Sequence, residues 1–337
     1  MDYGRLKEWA KSADDLGFAF VAVGDNPGQM RDTYVSLTVL AQATTRCCVG
    51  TGTTNPLHRD ILVTASAMSS VETLAPGRTF LGLARGRAHM TASVDQLRTY
   101  VIGLRELWER GETTVAGKRI RLDWEARPVP IVLGASGPRG LQLAGELADG
   151  VLVESGVSED AVAYAMRNLE IGARASGRDL DALKIWWYVK SSISEDRDEA
   201  ADQVLAPTAA SGALVLGTRP GQRAVPEPFW AGCRRLYDRY DMSVHLSTDP
   251  NHQNRRLLDQ DPDLRQYLLD RFALTGTPTD WLERLNQLRA LGVERLYVVA
   301  VVPDPAGLVH LVGKSIIPRL QPSTHHRGHD GRGGEAV

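Results

Sequence analysis

The most constraining feature of the sequence is the immediate succession, after Cys47, of an apolar run, a glycine-broken loop, a helical run and a second apolar run. The loop is Gly50–Pro56, the helical run extends from Asp60 to Leu74, and the second apolar run is Thr79–Ala84. Two strands joined by a crossover helix form a right-handed βαβ unit with parallel strands. Ligands of such units bind beyond the carboxyl ends of the strands. We therefore expect this loop and the next one, Gly82–Arg87, to face each other across one pocket.

The alternation of strands and helices continues along most of the chain. Seven strands of the parallel type are predicted, near residues 18–23, 47–50, 79–84, 130–134, 150–153, 184–191 and 295–300. Strict alternation of this kind leaves a (β/α)8 TIM barrel or a doubly wound open sheet. Because the chain opens directly on a helix, Arg5–Leu16, a closed barrel would lack its first strand. Two explanations stay open: a misassigned start of the chain, or a barrel that is incomplete at that seam.

The alternation stops after Lys184–Ser191, which is strand 7 of such a barrel when the absent first strand is counted. Residues 194–275 contain several prolines and no clear strand, and a structureless connection of that length is uncommon. We expect a helical insertion there. We further expect one barrel domain over residues 1–320 and a disordered tail over residues 321–337, which is polar and rich in glycine and histidine.

Composition excludes several classes of protein. The formal net charge is −2, so no strong electrostatic field favours nucleic acid or a membrane surface. No apolar run approaches the roughly 18 residues that span a bilayer, and the amino terminus does not resemble a signal peptide. The three cysteines have neither metal-ligand spacing nor a disulfide framework. We expect a cytoplasmic homodimer that acts on a small molecule, with no nucleic acid, no membrane and no metal.

Five pieces of sequence in this order resemble the bacterial luciferase-like superfamily of flavin- and deazaflavin-dependent oxidoreductases, which are (β/α)8 barrels. The pieces are Val23–Asp25, Val49–Pro56, Leu74–Leu83, Ala135–Arg139 together with Leu143–Val151, and Leu274–Pro278. Within the superfamily, Thr54-Asn55-Pro56 is similar to the F420-dependent branch typified by methylenetetrahydromethanopterin reductase. The resemblance implies hydride transfer between coenzyme F420 and an organic small molecule. Two alternatives stay open: an FMN-dependent monooxygenase, and a barrel without catalysis that acts as a binding or partner protein.

The resemblance also implies which residues hold the cofactor ring. The peptide bond between Gly52 and Thr53 is expected to be cis and to bulge against the ring, and the side-chain amide of Asn55 is expected to reach the polar edge of the ring. Glycines at the end of a barrel strand let the backbone approach a flat ligand closely. The alternative is a plain glycine turn.

The loop Ser136, Gly137, Pro138 and Arg139 is the candidate phosphate site. A serine hydroxyl, free backbone N–H groups and a helix amino terminus together favour an anion. By resemblance this loop holds the cofactor phosphate, with Arg139 screening its charge. The alternative is an ordinary helix start with proline in the first turn, which has the same local sequence.

Asp25 and His58 are the candidate catalytic residues. Asp25 directly follows a buried strand at the expected active-site end. Members of the superfamily often have histidine after this aspartate, whereas here the next residue is Asn26, so a histidine base is absent from that position. His58 lies just past the cofactor loop and is the remaining candidate for proton transfer. The alternative for Asp25 is a residue that caps a turn.

Arg85, Arg87 and Trp187 are candidates for binding substrate or an anion. The methanopterin-reductase pattern has an acidic residue close to the position of Arg87, so the two arginines instead suggest an anionic group, such as the acidic tail of F420. A solvated loop is the alternative, and His89 belongs to the same loop. Alternate residues of Trp186-Trp187-Tyr188 are expected to line an apolar pocket, while at least one of them packs in the core.

Overall fold

The protein is described by a computed structural model that covers residues 2–86, 91–245 and 252–320. Within these ranges the strands are β1 (Phe20–Val23), β2 (Cys48–Thr51), β3 (Thr79–Leu83), β4 (Glu112–Val115), β5 (Lys118–Arg121), β6 (Ile131–Ala135), β7 (Gly150–Val153), β8 (Lys184–Ser191), β9 (Ala273–Leu274) and β10 (Leu296–Val299). The strand order is β1-β2-β3-β6-β7-β8-β10, with every pair parallel, and β9 pairs with the carboxyl end of β8. The parallel seven-stranded sheet predicted from the sequence is confirmed.

Helices connect the strands and cover the outside of the sheet. They are α1 (Tyr3–Asp15), α2 (Thr33–Ala43), α3 (Ile61–Leu74), α4 (Val94–Arg110), α5 (Pro138–Leu147), α6 (Glu159–Ala175), α7 (Arg197–Gln203), α8 (Leu205–Ser211), α9 (Trp230–Arg239), α10 (Pro262–Phe272), α11 (Pro278–Ala290) and α12 (Pro305–Leu311). Side chains cap many of their starts, because the first N–H groups of a helix lack partners within the helix. Asp32 caps α2, Asp60 caps α3, and Ser93 with Gln96 forms a capping box on α4.

The sheet is curled, which rules out the open doubly wound alternative. β1 and β8 are five strands apart along the sheet and would lie about 24 Å apart if the sheet were flat. The ring of Phe20 on β1 nevertheless lies 6.1 Å from that of Trp186 on β8. Phe20 is also 5.3 Å from Tyr297 on β10. The two edges of the sheet therefore face each other, as in a barrel.

The described residues form no backbone ladder between β1 and β10, which is where the first strand of a closed barrel would lie. Aromatic rings fill this seam instead. Phe20, Tyr297 and Tyr188 contact one another in sequence, with 5.3 Å and 5.4 Å between ring centroids. The fold is thus a half-barrel of the TIM type, and none of the described residues forms the first strand of a closed barrel.

Between β8 and α11 the described residues form helices α7 to α10, short 3₁₀ turns, one π-helical turn (Gly212–Leu216) and the two-residue strand β9. This insertion has its own apolar core, separate from the core between sheet and outer helices, to which α8, α9 and α10 contribute Leu205, Leu236 and Leu268. β9 was not predicted, because two residues carry no period. The predicted disordered tail, residues 321–337, lies outside the described ranges. No helix in the described ranges is long and apolar enough to cross a membrane.

The side chain of Asp14, near the end of α1, accepts hydrogen bonds from the residues that directly precede β2. One carboxylate oxygen accepts hydrogen bonds from the Thr45 N–H and hydroxyl, both at 2.9 Å. The other accepts from the N–H groups of Arg46 at 2.9 Å and Cys47 at 2.6 Å. Burial alone would raise the pKa of Asp14, but these N–H donors outweigh burial and hold the pKa below its usual value of 3.8. The ionised carboxylate therefore stabilises the fold.

We predict that Asp14→Asn lowers the free energy of unfolding by about 1–3 kcal/mol at pH 7, since buried N–H donors lose part of their acceptor. The pKa of Asp14 is lower in the folded state than in the unfolded state. The ionised carboxylate therefore adds its full contribution to the free energy of unfolding above the unfolded-state pKa, and this contribution decreases as the pH falls below that value. The difference in the free energy of unfolding between wild type and variant, measured by urea denaturation, should therefore decrease from pH 6 to pH 3. Asp15→Asn, on the exposed Lys11 pair, is the control and should change stability by less than about 0.5 kcal/mol. A difference in the free energy of unfolding that does not vary with pH would contradict this role for the Asp14 charge.

Candidate active site

The loops that follow β1, β2 and β3 are hydrogen-bonded to one another at the carboxyl end of the sheet. Thr54 forms an isolated parallel bridge with Leu83: its N–H donates to the Gly82 carbonyl, and its carbonyl accepts from Ala84, both at 2.9 Å. The Asp25 N–H lies 3.4 Å from the Thr53 carbonyl. The peptide bond between Gly52 and Thr53 is cis, as the resemblance implied. Asp25, Thr53 and Ala84 are thus held at one rim.

The candidate phosphate loop lies at the same rim. Gly134 on β6 faces Thr53, since a Cβ atom placed on Gly134 would lie 3.3 Å from the Thr53 methyl group. Ser136 and Gly137 follow β6 directly. The two turns proposed to hold ring and phosphate therefore lie close together at one rim of the sheet.

Asp25 lies at the centre of a buried polar cluster. Its side chain is 2% exposed, and its Oδ2 accepts a hydrogen bond of 2.6 Å from the Thr54 hydroxyl. The same oxygen lies 3.5 Å from Nδ1 of His58 and 3.8 Å from Nε of Arg59. Neither nitrogen has another hydrogen-bond partner among the described residues. The Asp25 carboxylate therefore contacts the loop that follows β2 and does not cap the turn that follows β1. This placement favours a role in the site over turn capping.

His58 is positioned by the turn that Asn55 begins. The Asn55 side-chain oxygen accepts from the Leu57 N–H at 2.9 Å, and its backbone oxygen accepts from the His58 N–H at 3.3 Å. The amino group of the Asn55 amide remains as the donor that could face a ligand. The His58 side chain is largely buried, with 14% of its surface exposed.

Arg59 belongs to this cluster, although sequence analysis did not single it out. It donates to Asp32 at 2.7 Å and lies 4.8 Å from the centre of the Tyr34 ring. Burial alone would lower the pKa of Arg59, but Asp32 and Asp25 together raise it above its usual value. The cluster thus contains a permanent cation beside the Asp25 carboxylate.

Ser136 and Gly137 meet an arginine from the insertion. Gly137 is the N-cap of α5, and no side chain caps that helix. Nη1 of Arg223 lies 3.2 Å from the Ser136 hydroxyl, and a Cβ atom on Gly137 would lie 2.7 Å from the same nitrogen. The hydroxyl of Tyr164 donates to the Ser136 carbonyl at 3.3 Å. Arg223 is thus the cation at this helix start, and sequence analysis missed it because it lies 87 residues away along the chain in a segment without a motif.

Arg139, the cation predicted for the same loop, lies at the surface. Its side chain is 72% exposed and its guanidinium lies 3.9 Å from Asp95. It begins in the correct helix turn, but on the face that points away from Ser136. Sequence order alone does not fix that face.

The remaining candidates lie in different surroundings. Arg85 donates from Nε to the Ala92 carbonyl at 2.6 Å and so ties the two ends of its own loop together. Arg87 and His89 lie outside the described ranges. Trp187 is 1% exposed and belongs to the apolar core, which matches the packing alternative.

The neighbours of Trp187 on β8 face the lumen instead. The Tyr188 ring stacks on Tyr297 at 5.4 Å, and the Lys190 ammonium lies 4.2 Å from the centre of the Tyr188 ring. A Cβ atom on Gly52 would lie 2.2 Å from the Tyr297 hydroxyl. Burial raises the pKa of Tyr297 and the nearby Tyr188 and Glu154 raise it further, so the phenol stays protonated. An aromatic wall therefore lies next to the Gly52–Thr53 turn, and it suits a planar ligand.

The described residues contain no cluster of histidine, cysteine and acidic side chains that could hold a metal ion. The groups available at the rim are an acid–imidazole pair, an arginine at a helix start and aromatic rings. This set can bind a flat anionic molecule and move a proton.

Solved structures share the fold over almost the whole chain. A coenzyme F420-dependent tetrahydromethanopterin reductase from Methanopyrus kandleri superposes with a TM-score of 0.75 at 21% identity, covering 95% of this chain and 96% of that one. The oxygenating constituent of 3,6-diketocamphane monooxygenase from Pseudomonas putida, in complex with FMN, has a TM-score of 0.66 at 16% identity, covering 95% and 93%. These likenesses show that the half-barrel has the TIM-barrel-like fold of luciferase-like proteins.

Relatives in sequence are F420-dependent or methanopterin enzymes. A 5,10-methylenetetrahydromethanopterin reductase from Archaeoglobus fulgidus is 29% identical over 95% of this chain and 97% of its own. An F420-dependent hydroxymycolic acid dehydrogenase from Mycobacterium tuberculosis is 32% identical over 52% of this chain and 55% of its own. The sequence model described as luciferase-like monooxygenase matches residues 1–295. Because that match spans most of the chain, the protein belongs to the luciferase-like monooxygenase family.

Proposed function

We propose that this protein is an oxidoreductase that transfers a hydride between coenzyme F420 and an organic small molecule. The observation that carries the proposal is the meeting of the Gly52–Thr53 turn and the Ser136–Gly137 turn at one rim, beside an aromatic wall. Relatives that match almost the whole chain are F420-dependent dehydrogenases and methanopterin reductases, which favours F420 over FMN. An FMN-dependent monooxygenase is the second candidate, favoured by the FMN complex among the structural neighbours.

The residues present fit a phosphate-bearing ring system. The Gly52–Thr53 turn and the Asn55 amino group would hold the ring, and Ser136 with the open start of α5 would hold the phosphate. A Cβ atom on Gly137 would collide with the Arg223 guanidinium, so the glycine lets a cation approach this helix start, which is consistent with an anion site. When bound, the deazaflavin would supply or accept the hydride.

The Asp25–His58 pair would move the proton that accompanies hydride transfer. When a hydride adds to a carbonyl or neutral imine carbon, the heteroatom takes up a proton, and when a hydride leaves the carbon of an alcohol, the hydroxyl loses one. With Nδ1 of His58 facing Asp25 at 3.5 Å, the carboxylate favours the tautomer protonated at Nδ1 and leaves Nε2 to accept or release a proton. The Thr54 hydroxyl would hold the carboxylate in place.

The aromatic wall would exclude water and align the ring system. Tyr188 and Tyr297 present stacked faces, and the rings of Phe20 and Phe80 contact each other edge-on at 5.8 Å. In such surroundings the charges of the polar cluster act more strongly than they would in bulk water.

We further propose a cytoplasmic homodimer, built from one barrel domain over residues 1–320, that binds neither nucleic acid nor membranes. Support comes from the small net charge and from the exposed apolar residues Val35, Val63 and Ile102, which lie on the successive helices α2, α3 and α4. Light scattering of the purified protein gives the number of subunits directly.

The choice of cofactor is tested by fluorescence titration of the purified protein with F420 and, separately, with FMN. We expect saturable F420 binding that is at least about tenfold tighter than FMN binding, since one tenfold step is about 1.4 kcal/mol. Tight FMN binding without F420 binding would support the monooxygenase instead. Binding of neither would support a barrel that has no catalytic role.

The role of His58 is tested with His58→Gln. We expect kcat to fall about 10²- to 10⁴-fold, the usual contribution of a general acid or base, while the Kd for F420 changes less than about twofold. Turnover is followed by the F420 absorbance, with the substrate that wild type converts from a panel of alcohols, sugar phosphates and methylene-pterins. His310→Gln, at an exposed position on α12, is the matched control. Wild-type kcat in His58→Gln would remove His58 from the proton path.

A further inference from the structure

We propose that the helical insertion supplies a ligand to the cofactor site, namely the guanidinium of Arg223, which binds the phosphate together with Ser136 and the start of α5. The identity of the phosphate-bearing molecule rests on the proposed function. The anion subsite itself rests on the contacts of Arg223, Gly137 and Arg271.

Arg223 ends a 3₁₀ turn, Pro220–Arg223, and its guanidinium lies flat against the backbone of Gly137. A Cβ atom on Gly137 would lie 2.7 Å from Nη1, 2.8 Å from Nη2 and 2.9 Å from Cζ of the guanidinium. A larger residue at position 137 would displace the guanidinium from this contact. Since Gly137 is also the N-cap of α5, the arginine is held against the positive end of a helix, where a cation is unfavourable.

The charges around Arg223 make that position more unfavourable still. No carboxylate in the described ranges forms an ion pair with Arg223, and the positive charges that act on it are Arg219 and Arg271. Burial lowers the pKa of Arg223, the Tyr164 hydroxyl partly opposes this effect, and the two arginines lower the pKa further. A half-buried cation among cations, at the positive end of a helix, is stabilised when an anion binds there.

Arg271 fixes the backbone that carries Arg223. It is fully buried on α10 and donates to the carbonyls of Arg223 at 2.6 Å and Ala224 at 2.9 Å. It also donates to the Ser155 carbonyl, just beyond β7, at 2.9 Å and to the Tyr267 hydroxyl at 2.7 Å. None of these acceptors is a carboxylate, so Arg271 adds a positive charge and does not neutralise one. It is a positioning residue that joins the insertion to the rim of the sheet.

The geometry suits a phosphate. A guanidinium offers paired N–H donors to two phosphate oxygens, the Ser136 hydroxyl offers a third donor, and the first N–H groups of α5 offer more. F420 and FMN both contain such a group, so Arg223 would serve either cofactor. The insertion would then contact the cofactor directly, as well as shaping the substrate pocket.

The test compares the affinities of F420 and of the F420 chromophore without its phosphate and acidic tail, in wild type, Arg223→Gln and Arg139→Gln. We expect Arg223→Gln to weaken F420 binding about 10- to 100-fold, the range for losing a charged hydrogen-bond partner, and to leave binding of the phosphate-free chromophore unchanged. Arg139→Gln, an exposed charge in the same helix turn, should weaken F420 binding less than about threefold. Arg223→Lys keeps the charge and should lie between wild type and Arg223→Gln. Repeating the comparison with FMN and riboflavin applies the test to the alternative cofactor.

The outcomes separate this inference from the proposed function. Unchanged F420 affinity in Arg223→Gln, or an equal loss for the phosphate-free chromophore, would overturn the inference and leave the proposed function standing. If wild type binds neither F420 nor FMN, the proposed function fails, and calorimetric titration with inorganic phosphate then tests the subsite alone. Phosphate binding to wild type that is lost in Arg223→Gln would support the subsite, and no phosphate binding to wild type would overturn it. Binding of the phosphate-free chromophore also shows that each variant is folded.

Discussion

The structure depends on the parallel pairing of its strands. When all main strands run the same way, every loop that follows a strand emerges at one rim, and residues far apart in sequence meet there. Asp25, Thr53 and Ala84 follow three successive strands, and backbone hydrogen bonds connect their loops. Gly134 then brings the strand before Ser136 against Thr53. Each proposed role follows from this arrangement.

The seam of the half-barrel shows how the fold compensates for an absent strand. Without a strand between β1 and β10, no backbone ladder closes the sheet in the described ranges. Phe20 and Tyr297 fill the gap with ring contacts, and these contacts bring the Tyr297 hydroxyl against Gly52. The same rings that close the seam therefore lie beside the Gly52–Thr53 turn, where we propose that the cofactor ring binds.

Local sequence patterns predicted the parts of the structure that depend on neighbours in the chain. The seven parallel strands, the helical run that begins at Asp60, and the turn after β2 were all predicted, because each depends on a few consecutive residues. The cis bond between Gly52 and Thr53 was expected from the resemblance alone. Asp25 and His58 were chosen separately, and the structure places them 3.5 Å apart.

Predictions were less successful where they depended on the direction of a side chain or on a contact between distant parts of the chain. Arg139 lies in the predicted turn but on its outer face, and Trp187 faces the core while its two neighbours face the lumen. A change of one position along a strand or helix turns a side chain to a different face, and composition does not show which face a residue occupies. The role of Arg223 could not be predicted from the sequence, because its partner Ser136 lies 87 residues away and only the fold of the insertion brings the two together.

The central claim is that several turns at one rim bind a single planar, phosphate-bearing molecule. A crystal structure of the protein with F420 tests this claim most directly. The account predicts that the ring packs against Thr53 and that the phosphate lies within about 3.5 Å of the Ser136 hydroxyl and the Arg223 guanidinium. A ring bound elsewhere, with Ser136 and Arg223 in contact only with each other, would contradict it.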